Sequence, residues 1–177
     1  RKNYRAPSLL IGHSLGGAAV LAAAYAIKEA QGVVTIGAPA DPAHVVKQFG
    51  CKTDEITEAG VAEVQLAGRP FTIKKQFLED LADHNLAEKI ARLKKALLVF
   101  HSPVDETVSI HEAEKIYRSA KHPKSFISLD DADHLLTRPE DAEYVGATIA
   151  AWAMRYIAES ESIEQKTNAV TKGQVMV

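Results

Sequence analysis

The stretch Leu9-Leu10-Ile11-Gly12-His13-Ser14-Leu15-Gly16-Gly17-Ala18 limits what this chain can fold into more than any other. An apolar run ends at Ile11, an alanine-rich run begins at Leu15, and glycine-x-serine-x-glycine stands between them. A chain passes from strand to helix in so few residues only through a sharp turn, which leaves little space for side chains beside it. Gly12 and Gly16 are read as the residues that keep this space open, and Ser14 as a hydroxyl lifted clear of the sheet. At average usage the pattern arises by chance in about one chain in twenty of this length. Its position between strand and helix is the context that gives it meaning. The plainer alternative makes Ser14 an ordinary helix N-cap.

Three further runs read as strands: Val33–Ile36, Ala96–Phe100 and Ser125–Leu129. The first, Ser8–Ile11, and the next two are apolar nearly throughout, the pattern of strands covered on both faces of a parallel sheet. Helical segments separate them: Leu15–Ala30, His111–Ala120, and Glu140–Ala158 with Tyr144, Ile149, Trp152 and Tyr156 facing inward. Alternating strands and helices predict an α/β fold, a parallel sheet with right-handed crossovers. From about residue 40 to 93 an insertion interrupts the alternation. It reads as a loop, a hairpin (Val61–Leu66 and Phe71–Ile73, joined through 67–70) and helical pieces at Gln76–Ala82 and Leu86–Leu93. Insertions of this length are usually functional, and this one is expected to cap one end of the sheet. From Glu159 onward the chain is polar and reads as a linker, turning apolar again at 173–177.

A serine hydroxyl attacks a carbonyl only when a base takes its proton and an acid orients that base. With a turn of this kind the partners follow in the order serine, acid, histidine, each beyond a later strand. Asp105, five residues past Phe100 in a loop opened by Pro103, is the candidate acid; Glu106 is the rival, and a helix-capping role for Asp105 is the alternative. His134, just past the last strand, is the candidate base. Six other histidines compete: His13, His44, His84, His101, His111 and His122. His13 is expected to point away from its neighbour Ser14, and His101, at a strand end, is the serious rival. Asp130, Asp131 and Asp133 crowd the loop of His134, where they are expected to solvate it. No second acidic cluster completes a cation site, no Cys/His spacing suits zinc, and the Gly16-Gly17 pair lacks a phosphate loop's lysine. No metal or cofactor is expected.

Composition narrows the class. The 177 residues are 46% apolar with a formal charge of −2, so nothing suggests a nucleic-acid partner or a polybasic lipid anchor. The longest apolar run, Ala18–Ile27, is ten residues against the roughly 18 to 20 needed to span a membrane. A single cysteine, Cys51, excludes an internal disulfide and suits a reducing compartment, and with no signal segment read in the sequence a cytoplasmic setting is expected.

With these residues in place, the chain resembles the α/β-hydrolase superfamily from the elbow strand to the last helix. More narrowly, it is similar to the hydrolase half of bacterial proteins in which an α/β hydrolase precedes an OsmC-like domain. The segments that carry this are 10–19, Thr35–Pro39, Phe100–Ser109 and Leu129–Leu136. The resemblance implies Ser14 as nucleophile, Asp105 as orienting acid, His134 as general base and the Leu15 backbone N–H as half of an oxyanion hole. It also implies strands and a second oxyanion donor earlier than residue 1. The expected object is therefore the C-terminal part of an α/β-hydrolase domain over 1–158, with 159–177 leading towards a fused OsmC-like domain. An exposed edge of the elbow strand would invite self-association. The expected function is hydrolysis of a small carboxylic ester or thioester through an acyl-enzyme. The alternative is a weak or inactive fragment serving as a scaffold.

Overall fold

The computed structural model describes residues 6–41, 52–66, 69–76 and 86–173, with side chains described as far as Ile157. The apolar runs form β1 (Leu9–His13), β2 (Gly32–Ile36), β5 (Ala96–His101) and β6 (Lys124–Ser128). All pair in parallel in the order β1-β2-β5-β6. Every residue of β2 and β5 is buried, as continuous apolar sequence requires of a central strand. β1 departs from that expectation: Ile11 is 50% exposed, because among the described residues β1 has a neighbour on one side only.

Alternate residues of the central strands feed two cores, following the twofold side-chain period. Val33, Leu97 and Val99 pack with Leu21 of α1 (Leu15–Ala23) and with Ile90 and Ile116. Ile90 belongs to α3 (Leu86–Ala91) and Ile116 to α4 (Ile110–Ser119). On the opposite face Val34, Ile36, Leu98 and Phe100 meet Val145 and Ile149 of α5 (Pro139–Gly173). Helices thus cover both faces of a parallel sheet.

Three helix expectations need correction. α1 stops at Ala23 and tightens into a 3₁₀ turn at Ala24–Ala26, short of Ala30. The carbonyls of Ile27 and Ala30 instead accept hydrogen bonds from Lys95 Nζ at 2.8 and 2.7 Å, which satisfies groups that a continuing helix would have paired. On α5, Tyr144 faces solvent and Val145 takes the inward place. Tyr144 lies five residues before Ile149, about 140° round a helix of 3.6 residues per turn, whereas Val145 lies four before. The α5 backbone also remains helical to Gly173, past Ala158. Glu, Gln, Lys and Ala are good helix formers, and no Gly or Pro interrupts 159–172.

The insertion contains the expected hairpin, β3 (Val61–Leu66) antiparallel to β4 (Arg69–Lys74). β4 starts earlier than read, since Arg69 and Pro70 pair with Leu66 and Gln65. It also contains a helix the sequence reading treated as loop, α2 (Lys52–Ala59), whose Ile56 is buried along with Ala62, Val64 and Ile73 of the hairpin. Gly60 follows α2 at φ +80, the left-handed residue that commonly ends a helix and the signal that marks this one. Of the expected helix over Gln76–Ala82 only Gln76 is described, and residues 77–82, together with His44, Cys51, His84 and the closing 174–177, lie outside the described residues.

Candidate active site

The elbow forms because α1 lies close both to β1 and to the segment that follows β2. A Cβ on Gly12 would overlap the carbonyl of Gly16, and one on Gly17 would overlap the Ala38 side chain. Gly16, read as the second space-keeping glycine, has nothing within 4 Å of its Cβ position, so that role belongs to Gly17. Between the close contacts Ser14 takes φ 53 and ψ −128, a conformation costly for any residue but glycine. Its N–H donates to the Ile36 carbonyl at 2.8 Å, and its own carbonyl accepts from the Gly17 N–H at 2.8 Å. The Ser14 side chain makes no capping hydrogen bond, so the N-cap alternative fails. Leu15 opens α1, where the first backbone N–H groups have no intrahelical acceptor.

The structure brings Ser14, His134 and Asp105 into one hydrogen-bonded line. Ser14 Oγ lies 3.0 Å from His134 Nε2. His134 Nδ1 lies 2.7 Å from Asp105 Oδ2. With the Nδ1 proton donated to the carboxylate, Nε2 is left to accept from the serine hydroxyl. His134 and the Asp105 carboxylate are both buried. Burial alone would raise the Asp105 pKa, but hydrogen bonds from His134 and from the N–H groups of Val108 and Thr107 hold it below the ordinary carboxylate range. Asp105 stays ionised while it orients the imidazole. Its bonds to Thr107 and Val108 give it a turn-fixing role as well, alongside the one read from sequence.

The rivals have other tasks. His101 is fully buried, and its Nε2–H donates to the Val108 carbonyl at 2.8 Å. The same nitrogen is 3.7 Å from Asp105 Oδ2, so His101 braces the loop that carries Asp105. Glu106 is exposed beside it. Asp131 accepts both Arg138 guanidinium nitrogens at 2.8 Å, and Asp133 accepts from the Thr137 N–H and hydroxyl at 2.8 and 2.6 Å. These carboxylates shape the loop of His134 and join it to the start of α5. Among the described residues no group of three or more His, Cys, Asp or Glu could hold a metal ion, and no helix is long and apolar enough to cross a membrane.

The contacts of two residues at the site were missed from sequence. Gly37 follows β2 at φ +55, close against Asp105 and His134: a Cβ there would stand 3.3 Å from both Asp105 Oδ2 and His134 Nδ1. A glycine closing an apolar strand was its only signal. His13 is expected from sequence only to point away from Ser14; its contact with His134, with ring centroids 5.0 Å apart and its Nε2–H donating to the His134 carbonyl at 2.6 Å, is not read there. A cleft of about 490 Å³ is lined by His134 together with Val104, Glu106, Asp133 and Leu135.

The chain matches the family model of the prolyl oligopeptidase family over residues 8–160. No match was found among curated proteins. Among solved structures, the esterase domain of a Rhodothermus marinus protein is 52% identical with a TM-score of 0.80, over 88% of this chain and 64% of that one. Est1E from Butyrivibrio proteoclasticus is 15% identical (TM-score 0.66), over 84% of this chain and 60% of its own. Mouse alpha/beta hydrolase domain-containing protein 10 is 21% identical (TM-score 0.65), over 86% and 64% respectively. The last two share the fold, a parallel sheet flanked by helices. The chain spans less than two thirds of the length of each of these structures.

Proposed function

The chain belongs to the prolyl oligopeptidase family, a family of α/β-fold hydrolases, and from that premise we propose that it supplies the catalytic residues of a serine esterase. The observation that carries the proposal is the unbroken line Asp105–His134–Ser14, ending on a hydroxyl held in a strained turn. Ser14 Oγ attacks the carbonyl carbon of an ester or thioester while its proton passes to His134 Nε2. The carbonyl electrons become an oxyanion, to which the Leu15 N–H donates in this reading. Collapse breaks the bond to the leaving group, which takes the proton from His134 and departs as alcohol or thiol. Water then attacks the acyl-enzyme, gives a proton to His134, and releases the acid as that proton returns to Ser14. Asp105 remains a carboxylate and stabilises the imidazolium in both halves.

A second oxyanion donor, which the resemblance puts on a loop after an earlier strand, would contribute about 2.7–4 kcal/mol. Esters are favoured over peptides because the structure at 52% identity is an esterase domain; the peptidase family favours the second reading, amide hydrolysis by the same residues. A fluorophosphonate probe tests the nucleophile: it should label the chain and not Ser14→Ala, and labelling of that variant would refute the assignment. A p-nitrophenyl ester against a prolyl p-nitroanilide separates the two readings. Ester turnover abolished in His134→Ala would exclude a purely scaffolding role. Ferulic acid is bound in one structure of Est1E, which supports a small-molecule substrate here. A fused OsmC-like domain, a cytoplasmic setting and self-association through the free side of β1 belong to the same proposal. They are tested by flanking gene sequence, by cell fractionation and by sedimentation.

A further inference from the structure

We propose that His13 is a positioning residue that locks the loop of His134 onto the elbow of Ser14; the inference rests on the reading of Ser14 and His134 as nucleophile and base. The two are 120 residues apart in the chain and approach from different strands. The loop after β6 has bonds of its own. Ala132 N–H donates to the Leu129 carbonyl, Leu136 N–H to the Asp133 carbonyl, and Asp133 holds Thr137. Those bonds fix the curl of the loop without saying where it sits over the sheet. The bond from His13 Nε2–H to the His134 carbonyl does say so.

Its donor belongs to the residue beside the nucleophile, and its acceptor to the base itself. Movement of the elbow is therefore carried to the backbone of His134. His13 is fixed in turn by β1, where it pairs in register with Ile36, whose carbonyl accepts the Ser14 N–H. The tilted rings, at 43° and 5.0 Å, fill the space into which the His134 imidazole would otherwise swing. Ring contact and hydrogen bond thus act on the same coordinate, the Nε2···Oγ distance of 3.0 Å. The bond also fixes the His13 tautomer: Nε2 must carry a proton to donate to a carbonyl.

Two replacements separate the contributions. His13→Gln places an amide N–H near the position of Nε2, whereas His13→Phe keeps a ring and removes the donor. The full chain is compared in three forms by its rate of fluorophosphonate labelling at Ser14. A second measurement is the far-downfield proton resonance of the His134 Nδ1–H donated to Asp105. His13→Phe should label roughly tenfold more slowly, the order of loss expected when a reacting group is displaced by a fraction of an ångström, and its resonance should shift or broaden. His13→Gln should stay within about threefold of wild type with the resonance kept. Equal behaviour of the two variants in both measurements would overturn the proposal. Absence of labelling in the wild type would instead refute the nucleophile assignment, and the resonance comparison would still decide whether His13 positions His134.

Discussion

Replacing Gly37 by alanine tests whether the space beside Asp105 and His134 governs reactivity. The perturbation is a single methyl group with two consequences that can be measured apart. Gly37 stands at φ +55, where a residue with a Cβ loses about 1–2 kcal/mol relative to its preferred conformations. For a chain of 150–250 residues each kcal/mol corresponds to about 2–4 °C in Tm, so Gly37→Ala should melt about 2–8 °C lower. The new methyl would also stand 3.3 Å from Asp105 Oδ2 and His134 Nδ1, and 3.4 Å from His134 Cε1. Those atoms must retreat by a few tenths of an ångström. The ring cannot do so freely, because its far nitrogen is already engaged with Ser14. A shift of that size is expected to reduce kcat on a p-nitrophenyl ester by about ten- to a hundredfold with KM little changed. Thermal unfolding and steady-state kinetics on the same preparation check both halves. Wild-type kcat in a variant with lowered Tm would refute the claim that the glycine cradles the pair. An unchanged Tm would refute the backbone argument.

Gly12→Ala should be strongly destabilising because its methyl meets backbone, while Gly16→Ala should be neutral or up to about 1 kcal/mol stabilising as a helix substitution; thermal melts of the two variants decide this. Glu112 accepts the N–H groups of Ala40 and Asp41 and pairs with Lys115. Burial would raise its pKa, yet these partners hold it below the ordinary range. Glu112→Gln should cost roughly 1–3 kcal/mol in urea unfolding at neutral pH by weakening that junction. Asp105 and Glu112 both have folded pKa values below their unfolded ones near pH 4, so each contributes stability present above about pH 4 and lost as pH falls through the folded value. Tm should be flat above about pH 5 and fall below about pH 4, less steeply in Glu112→Gln; an acid limb as steep in that variant would refute the assignment.

The three residues that the structure joins by hydrogen bonds were legible in position because each follows a strand whose apolar run is unmistakable. Ser14, Asp105 and His134 needed only chain order and the rule that such groups gather at one end of a parallel sheet. Gly37 and His13 were not legible in this way. Their roles depend on where residue 134 comes to rest, 97 and 121 positions later, and that is set by sheet order and by the course of one loop. The assignment of Gly16 failed for a related reason: the motif supplies spacing, but only the approach of Ala38 shows that Gly17 is the crowded member. Tyr144 was misplaced because an aromatic residue near the start of an amphipathic helix looks apolar enough to point inward. Position around the helix outweighs residue type there. α2 escaped notice because its apolar content is essentially Ile56, too little to set a period.

The strand order β1-β2-β5-β6 puts Ser14 and the start of the loop of His134 at opposite edges of the four-stranded sheet. Neighbouring strands lie about 4.8 Å apart, so three spacings separate those edges by about 14 Å. The five residue-to-residue steps from Leu129 to His134 span at most about 17 Å when fully extended. Part of that length is already taken up by the turn in which Ala132 bonds back to Leu129. The residues after that turn and the length of the His134 imidazole, whose Nε2 ends 3.0 Å from Ser14 Oγ, must together complete the crossing. Deleting one residue from the loop must either open that turn or lose the reach to Ser14, whereas substitutions that keep its length leave the span intact. Along this family's evolution, length should therefore be guarded more strictly between residues 129 and 134 than in the insertion after β2.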